Sequence, residues 1–328
     1  MIALLENTFN ARNSLFDVKH QTGFRLFNGF SEGNPELVID LYASTILIHN
    51  YAENPAAGLP AVQAAQEFLL NRLPWIKCVI VKTRNSPTPR EKNGKIIHGT
   101  DPDRRLLEHG VWYALELTMN RDAGLYLDTR GLRQWAIKNL AGKTVLNTFA
   151  YTGSLGVAAQ AGGATRVVQL DLNREFLNVA KTSYTLNGFP IHKSDFLAAD
   201  FWPQIGRLKR SGETFDCVFL DPPFFATTAR GTVDLQSSSA RLLNKVRPLV
   251  NDGGFLVAIN NALFQSGADY LQTLQALCAD GYLEIEQFIP VPEDFTGYPG
   301  TRLGTPPVDP APFNHPTKIA ILRVRRKA

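Results

Sequence analysis

The stretch Asn147-Thr-Phe-Ala-Tyr151-Thr-Gly153-Ser-Leu-Gly156 decides the fold. It ends the apolar run TVLNTFA (144–150) and opens the small-residue segment SLGVAAQA (154–161), which Gly162 and Gly163 stop. A buried strand turning through glycine into a helix is the first half of a βαβ unit. Downstream the pattern repeats. TRVVQLD (165–171) precedes a helix ending at Asn187-Gly188, a third strand is expected near Ile191, and FDCVFLD (215–221) runs into Pro222-Pro223. A helix over 233–248, then GGFLVAIN (253–260), YLEIEQFIP (282–290) and KIAILRVR (318–325), complete seven strands. Continuous apolar strands joined by crossover helices predict a parallel sheet covered on both faces, with an antiparallel edge. The expected class is therefore a doubly wound, Rossmann-like α/β fold, whose ligands bind outside the carboxyl ends of the strands.

Upstream the pattern changes. A short helix over 3–15 is followed by LVIDLY (37–42) and TILIHNY (45–51), a hairpin about a tight Ala43-Ser44 turn. A helix over 60–72 sets Val62, Ala65, Phe68 and Leu69 on one face, and WIKCVIVK (75–82) is a strand. The polar run from Lys82 to Lys95 reads as an exposed loop with five Lys or Arg against one Glu. VWYALEL (111–117) and GLYLD (124–128) read as strands bridging onward. The division expected is a small α+β domain over 1–105 and the doubly wound domain over 106–328. The 328 residues suit two domains, and 44% hydrophobic with 20% charged residues can fill their cores. The opening segment lacks a leader pattern and no uninterrupted apolar run could span a bilayer, so a soluble cytoplasmic protein is expected. Cys78, Cys217 and Cys278 are far apart, and none of the six histidines sits in a ligand motif, so neither disulfides nor a metal is expected. A net charge of +4 permits a polyanionic partner without demanding one.

Laid on the dinucleotide fingerprint G-x-G-x-x-G, Gly153 and Gly156 take the second and third positions, but Tyr151 takes the first. A pyrophosphate needs an open glycine turn at the helix N-terminus. Tyrosine there disfavours NAD and suits a nucleoside without phosphates. Asp171, 18 residues after Gly153, ends the second strand where a carboxylate can accept ribose hydroxyls. The set points to S-adenosylmethionine; the plainer alternative is a packing glycine and a helix-capping aspartate. Asp195-Phe196, placed after the expected third strand, offers an adenine acceptor and a ring cover, or an ordinary cap.

Asp221-Pro222-Pro223-Phe224-Phe225 follows the buried fourth strand. Two prolines fix the backbone and remove two amide donors, leaving carbonyl acceptors. With the Asp carboxylate these can hold a ring N–H, and the aromatics can stack on a flat base. Methyl transfer from an activated sulfonium chiefly requires in-line placement. A rigid turn carrying exposed aromatics is the alternative. No G-x-S-x-G or P-loop is present, which disfavours a hydrolase or an NTPase. The loop 82–95 and the tail Arg323-Val-Arg325-Arg326-Lys327 could meet phosphates, or be simply solvated. The proline- and glycine-rich segment 290–316 is expected as a substrate-side lid, or as a decoration of that edge.

VLNTFAYTGSLGVAA, DPPFF, GLYLDTRGLR and GFRLFNGFSEGNPELVIDLY together resemble the bacterial large-subunit ribosomal RNA methyltransferases I and K. The likeness runs from about residue 20 to the end. It implies a class I, S-adenosylmethionine-dependent methyltransferase domain behind the small domain. It further implies that Asp128 and Arg130 reach the methionine end of the cofactor and that Asn147, Phe149, Tyr151 and Gly153 line its pocket. Asp171 would hold the ribose, Asp195 and Phe196 the adenine, and Asp221 to Phe224 the target base. The chain departs from the family twice. It shows no room before GFRLFNGF for the extra RNA-binding domain of type I members. It also carries Val257-Ala-Ile259-Asn260-Asn261 where 5-methylcytosine enzymes need a nucleophilic cysteine. Cys217 inside its strand reads as inert core, so transfer without a thiolate is expected. Asn260-Asn261 and Phe225 are candidate substrate contacts of the type K kind, whose product is an N-methylated guanine, or Asn260-Asn261 is only a polar turn. The expected reaction is methylation of a base nitrogen of ribosomal RNA. Rival readings are the same chemistry on a protein amine or small heterocycle, an NAD-dependent oxidoreductase, and a silent RNA-binding module.

Overall fold

The computed structural model describes residues 1–326, so Lys327 of the basic tail lies outside the described residues. The chain forms two compact units: Met1–Asp128 with Pro292–Pro306, and Thr129–Val291 with the chain from Pro307 onward.

In the first unit, α1 (Ile2–Ala11) precedes β1 (Gly23–Asn28), α2 (Gly29–Glu32), the hairpin β2 (Leu37–Tyr42) and β3 (Thr45–Asn50), α3 (Leu59–Arg72), β4 (Cys78–Thr83), α4 (Pro89–Asn93) and β5 (Lys95–His98). The sheet order is β1-β2-β3-β4-β5, with β4 parallel to β3 and α3 as the crossover. One face packs Phe24, Leu26, Ile46 and Ile48 against Leu5 of α1 and Val62, Ala65 and Leu69 of α3. The other buries charge: Arg25 Nε meets Asp40 Oδ1 at 2.8 Å, with His49 Nε2 at 3.5 Å. Burial opposes the Asp40 charge, yet the Arg25 guanidinium holds its carboxyl down to about 2.

Contacts rather than composition place the boundary after Asp128. The hairpin β6 (Arg105–Glu108) and β7 (Val111–Ala114) is tied on by Leu107 N to Gln21 O at 2.8 Å, and Tyr42 Oη donates to Leu125 O at 2.9 Å. GLYLD is not a strand, because Gly124 at φ 79° ends extension and Leu127–Thr129 is a 3-10 turn. Lys82, expected in an exposed loop, is fully buried at the end of β4, where Nζ donates to Asn120 O at 2.6 Å and Asp122 O at 2.7 Å. Burial pushes it down to about 7. Nor is Pro292–Pro306 a free lid. Its short helix α11 (Glu293–Thr296) presents Asp294 Oδ2 to Arg25 N at 2.9 Å, and Thr301 bonds Glu32, itself paired with buried Arg12 at 3.0 Å.

The second unit opens with α5 (Arg130–Asn139). It then alternates β8 (Thr144–Thr148), α6 (Ser154–Ala161), β9 (Arg166–Asp171), α7 (Arg174–Leu186), β10 (Phe196–Ala198), α8 (Phe201–Arg210) and β11 (Phe215–Leu220). A small hairpin, β12 (Phe225–Thr228) and β13 (Gly231–Asp234), precedes α9 (Leu235–Val246), β14 (Val250–Asn260), α10 (Gly267–Cys278), β15 (Leu283–Phe288) and β16 (Lys318–Val324). The seven-stranded order β10-β9-β8-β11-β14-β16-β15 is parallel through β14; β16 alone runs against it, and β15, antiparallel to β16, regains the common direction. This is the doubly wound sheet that the alternation predicts, with its one reversed strand lying next to the edge rather than at it. Val218, Leu220, Leu256 and Ala258 meet Leu242 and Leu243 of α9 and Tyr270 of α10 on one face.

Candidate active site

The turn from β8 to α6 is strained and held from several sides. Phe149, Tyr151 and Gly153 have φ of 53°, 51° and 76°, and a non-glycine residue there costs about 1–3 kcal/mol. Asp171, at the end of β9, opposes this strain by accepting Tyr151 N on Oδ2 at 2.8 Å, while Ala150 N donates to Leu170 O at 2.9 Å. A Cβ on Gly153 would stand 2.5 Å from Ala180 Cβ, and one on Gly156 would stand 2.1 Å from Gln169 Nε2. Gly156 is therefore a packing glycine. Gln169 is a residue that motif reading passes over, its only signal being a polar side chain inside an apolar strand. Its Oε1 accepts Asn147 Nδ2 at 2.8 Å and its Nε2 donates to Gly153 O at 3.2 Å. Asn147 Oδ1 stays buried with no partner among the described residues.

Asp171 also accepts Asn173 N at 2.8 Å, yet burial raises its pKa above the ordinary carboxylate value. A carboxylate so placed has lone pairs that further donors would stabilise.

Asp195 and Phe196 stand elsewhere. The strand expected near Ile191 begins only at Phe196, so this pair lies at the amino end of β10. Asp195 is buried against Arg166 at 2.9 Å, and Phe196 packs edge-on to Tyr184 at 5.2 Å. A second Asp-Phe pair, Asp200-Phe201, occupies the carboxyl end, since Ala198 is level with Asp171. Asp200 Oδ1 caps α8 by accepting Trp202 N at 2.9 Å, and buried Phe201 stacks on Phe149 at 4.5 Å.

On the neighbouring strand Leu220 is level with Thr148, so Asp221-Pro222 leaves the same edge beside Phe149. Pro222 is buried, whereas Phe224 and Phe225 are 42% and 61% exposed. Leu235 N donates to Phe224 O at 3.0 Å, closing the β12–β13 hairpin. Asn260, at the end of β14, is buried with both polar atoms occupied: Oδ1 accepts Ala262 N at 2.8 Å and Nδ2 donates to Gln265 Oε1 at 3.0 Å. It therefore builds a turn, while Asn261 keeps a buried Oδ1 with no partner among the described residues. Cys217 is fully buried in β11 and its thiol is pushed far up by burial. Asp128 closes the first unit and Arg130 opens α5 of the second. The described arginines of the tail are engaged within their own unit: Arg323 with Glu286 at 2.6 Å, Arg325 with Glu284 at 3.3 Å, and Arg326 with Val250 O at 2.8 Å. Among the described residues no helix is long and apolar enough to cross a membrane, and no group of three or more His, Cys, Asp or Glu could hold a metal ion.

A left-handed turn stands against a half-buried carboxylate, with an acceptor-rich proline turn one strand away, an arrangement with the acceptors a nucleoside and a nearby planar base require. A family model described as S-adenosylmethionine-dependent methyltransferase matches residues 35–300, and the chain belongs to this family. Its cofactor is S-adenosylmethionine. The pocket fits the group, with an orphan Asn147 acceptor, an Asp171 carboxylate and a Gly153 cradle that a Cβ would fill. Among its relatives are the ribosomal RNA large subunit methyltransferases I of Photobacterium profundum, 30% identical over 257 residues (74% of this chain, 63% of that protein), and Vibrio cholerae serotype O1, 32% identical over 259 residues (74% and 64%). The chain thus spans a little under two thirds of these relatives. Of the solved structures it resembles, a methyltransferase complexed with SAH gives a TM-score of 0.84 at 20% identity (98% of this chain, 80% of that one). An S-adenosylmethionine-dependent methyltransferase from Streptococcus mutans gives 0.82 at 20% identity with the same coverage. These two likenesses establish the doubly wound fold.

Proposed function

We propose that the chain methylates a base nitrogen of ribosomal RNA by direct in-line transfer, without a cysteine nucleophile. The observation that carries this reading is Asp221-Pro222-Pro223-Phe224 leaving the sheet edge beside Phe149, on the strand next to the Asn147 turn. The similarity to enzymes named for large-subunit ribosomal RNA supports RNA as the substrate. When bound, S-adenosylmethionine supplies an electrophilic methyl group. Asn147, Phe149, Tyr151 and Gly153 line its place, Asp171 accepts the ribose hydroxyls, and Asp128 and Arg130 serve the methionine end. The Asp221 carboxylate and the Pro222 carbonyl accept hydrogen bonds from the target base and aim its nitrogen, while Phe224 covers the ring. The inert Cys217 and the Asn260-Asn261 sequence after β14 support a route without a thiolate adduct. The small first unit assists placement of the RNA.

The adenine acceptor is assigned to Asp200, with Phe201 beneath it, in place of Asp195 and Phe196. Asp200→Ala is expected to weaken S-adenosylmethionine binding about tenfold, while Asp195→Ala leaves it unchanged and lowers thermal stability slightly by removing one of the two carboxylates that Arg166 pairs with. Calorimetric titration of both variants checks this, and equal losses of affinity would return the acceptor to Asp195.

The function itself is tested with the purified full chain, methyl-labelled S-adenosylmethionine and large-subunit ribosomal RNA from a strain deleted for the gene. Nucleoside mass spectrometry should find one new methylated guanosine. Label in 5-methylcytidine would overturn the route, and label in protein or small heterocycles alone would overturn the substrate.

A further inference from the structure

Strands β11 and β14 run parallel with Leu220 level with Ala258, so the loops leaving them emerge side by side, about 4.8 Å apart. The first is Asp221–Phe225. The second is a turn over 262–265, closed by Gln265 N to Ala262 O at 3.2 Å, with Leu263 and Phe264 at its tip, 50% and 67% exposed. Turn tips ordinarily carry Gly, Asn, Asp or Ser. This one carries two large apolar groups and is anchored from beneath. Asn260 bonds both its ends, Ala262 N and Gln265 Oε1. Fully buried Lys318 donates Nζ to Ala262 O at 2.9 Å and to Pro316 O at 2.6 Å. Burying an ammonium is costly, so the turn's position is enforced by groups with no other visible task. The result is a flat, exposed ring carried on a braced turn beside the Asp221–Phe225 loop.

We infer that Phe264 is a stacking platform for the unpaired base neighbouring the target nucleotide, a positioning residue of the proposed reaction. The inference rests on the RNA reading above. A base that is to be methylated must leave its stack, which exposes the faces of its neighbours, and an aromatic ring is the side chain that receives such a face whatever its sequence. Leu263 extends the same apolar tip.

The test uses the full chain and a transcribed ribosomal RNA fragment containing the nucleotide labelled above. Phe264→Ala should raise KM for this RNA by roughly 5- to 100-fold. At saturating RNA its kcat should stay within about threefold, and its affinity for S-adenosylmethionine should be unchanged. Phe264→Tyr should restore KM and Phe264→Leu should not. In Phe264→Trp, the added indole emission should be quenched by RNA. An unchanged KM in Phe264→Ala, or equal rescue by Phe264→Leu, overturns the inference while leaving the RNA methyltransferase reading intact. If the wild-type chain transfers no methyl group to RNA, both fall together.

Discussion

Asp171→Ala is expected to weaken S-adenosylmethionine binding by on the order of 100- to 1,000-fold, the largest effect of any single substitution in the cofactor pocket. Two losses combine. The carboxylate that accepts the ribose hydroxyls disappears, and hydrogen bonds to a charged acceptor contribute about 1.5–3 kcal/mol. The turn at Tyr151 also loses the 2.8 Å acceptor of its amide, which helps hold a non-glycine residue at φ 51°. Asp171→Asn keeps an acceptor for one amide and should fall between the two. Equilibrium dialysis with labelled cofactor measures the series. An Asp171→Ala variant that binds within about twofold of wild type would mean the ribose lies elsewhere. The pH dependence follows from the raised pKa of Asp171 in the free protein, caused by burial. A carboxyl that is harder to ionise when folded reduces stability at neutral pH, and this reduction fades as pH falls through its folded pKa. Cofactor binding, which uses the ionised form, should weaken over the same acidic range.

Asp221→Ala should lower kcat on the order of 100-fold or more while leaving cofactor affinity unaltered, because the carboxylate positions the base rather than the cofactor. Asp221 follows β11, whereas Asn147 lies in β8 and Asp171 ends β9. Single-turnover methylation with saturating RNA separates a slow transfer step from weak binding. Asp221→Asn retains one carbonyl acceptor and should recover part of the rate. Unchanged single-turnover rates in Asp221→Ala would remove the proline turn from the chemistry.

Much of this molecule is legible in its sequence because the relevant rules are local. Apolar runs of five or six residues mark β8, β9 and β11 within a residue or two. Asn147, Tyr151, Gly153, Asp171 and Asp221, the residues proposed for the site, stand within or shortly after these strands. An element too short for a periodic signal is not legible in this way. β10 is three residues long, and the strand expected near Ile191 sets Asp195-Phe196 after it, whereas the fold puts the pair at its amino end with Asp195 on Arg166. The partners of the basic residues are hidden for a related reason. Lys82 and the tail arginines look like free charge in a linear string, and each is bound to a carbonyl or carboxylate brought from a distant position.

The sequence by itself determined the doubly wound class, the two-unit composition and the nucleoside character of the pocket, since strand length, helix period and a tyrosine in place of glycine are properties of neighbours along the chain. Only the tertiary structure decided where the first unit ends, that Pro292–Pro306 belongs to it, and that Gln169 links Asn147 to Gly153. It also decided that Asn260 and Lys318 brace a turn with Phe264 at its tip. Each of these depends on a hydrogen bond or packing contact whose partners the chain brings together only when strands of different registers lie side by side.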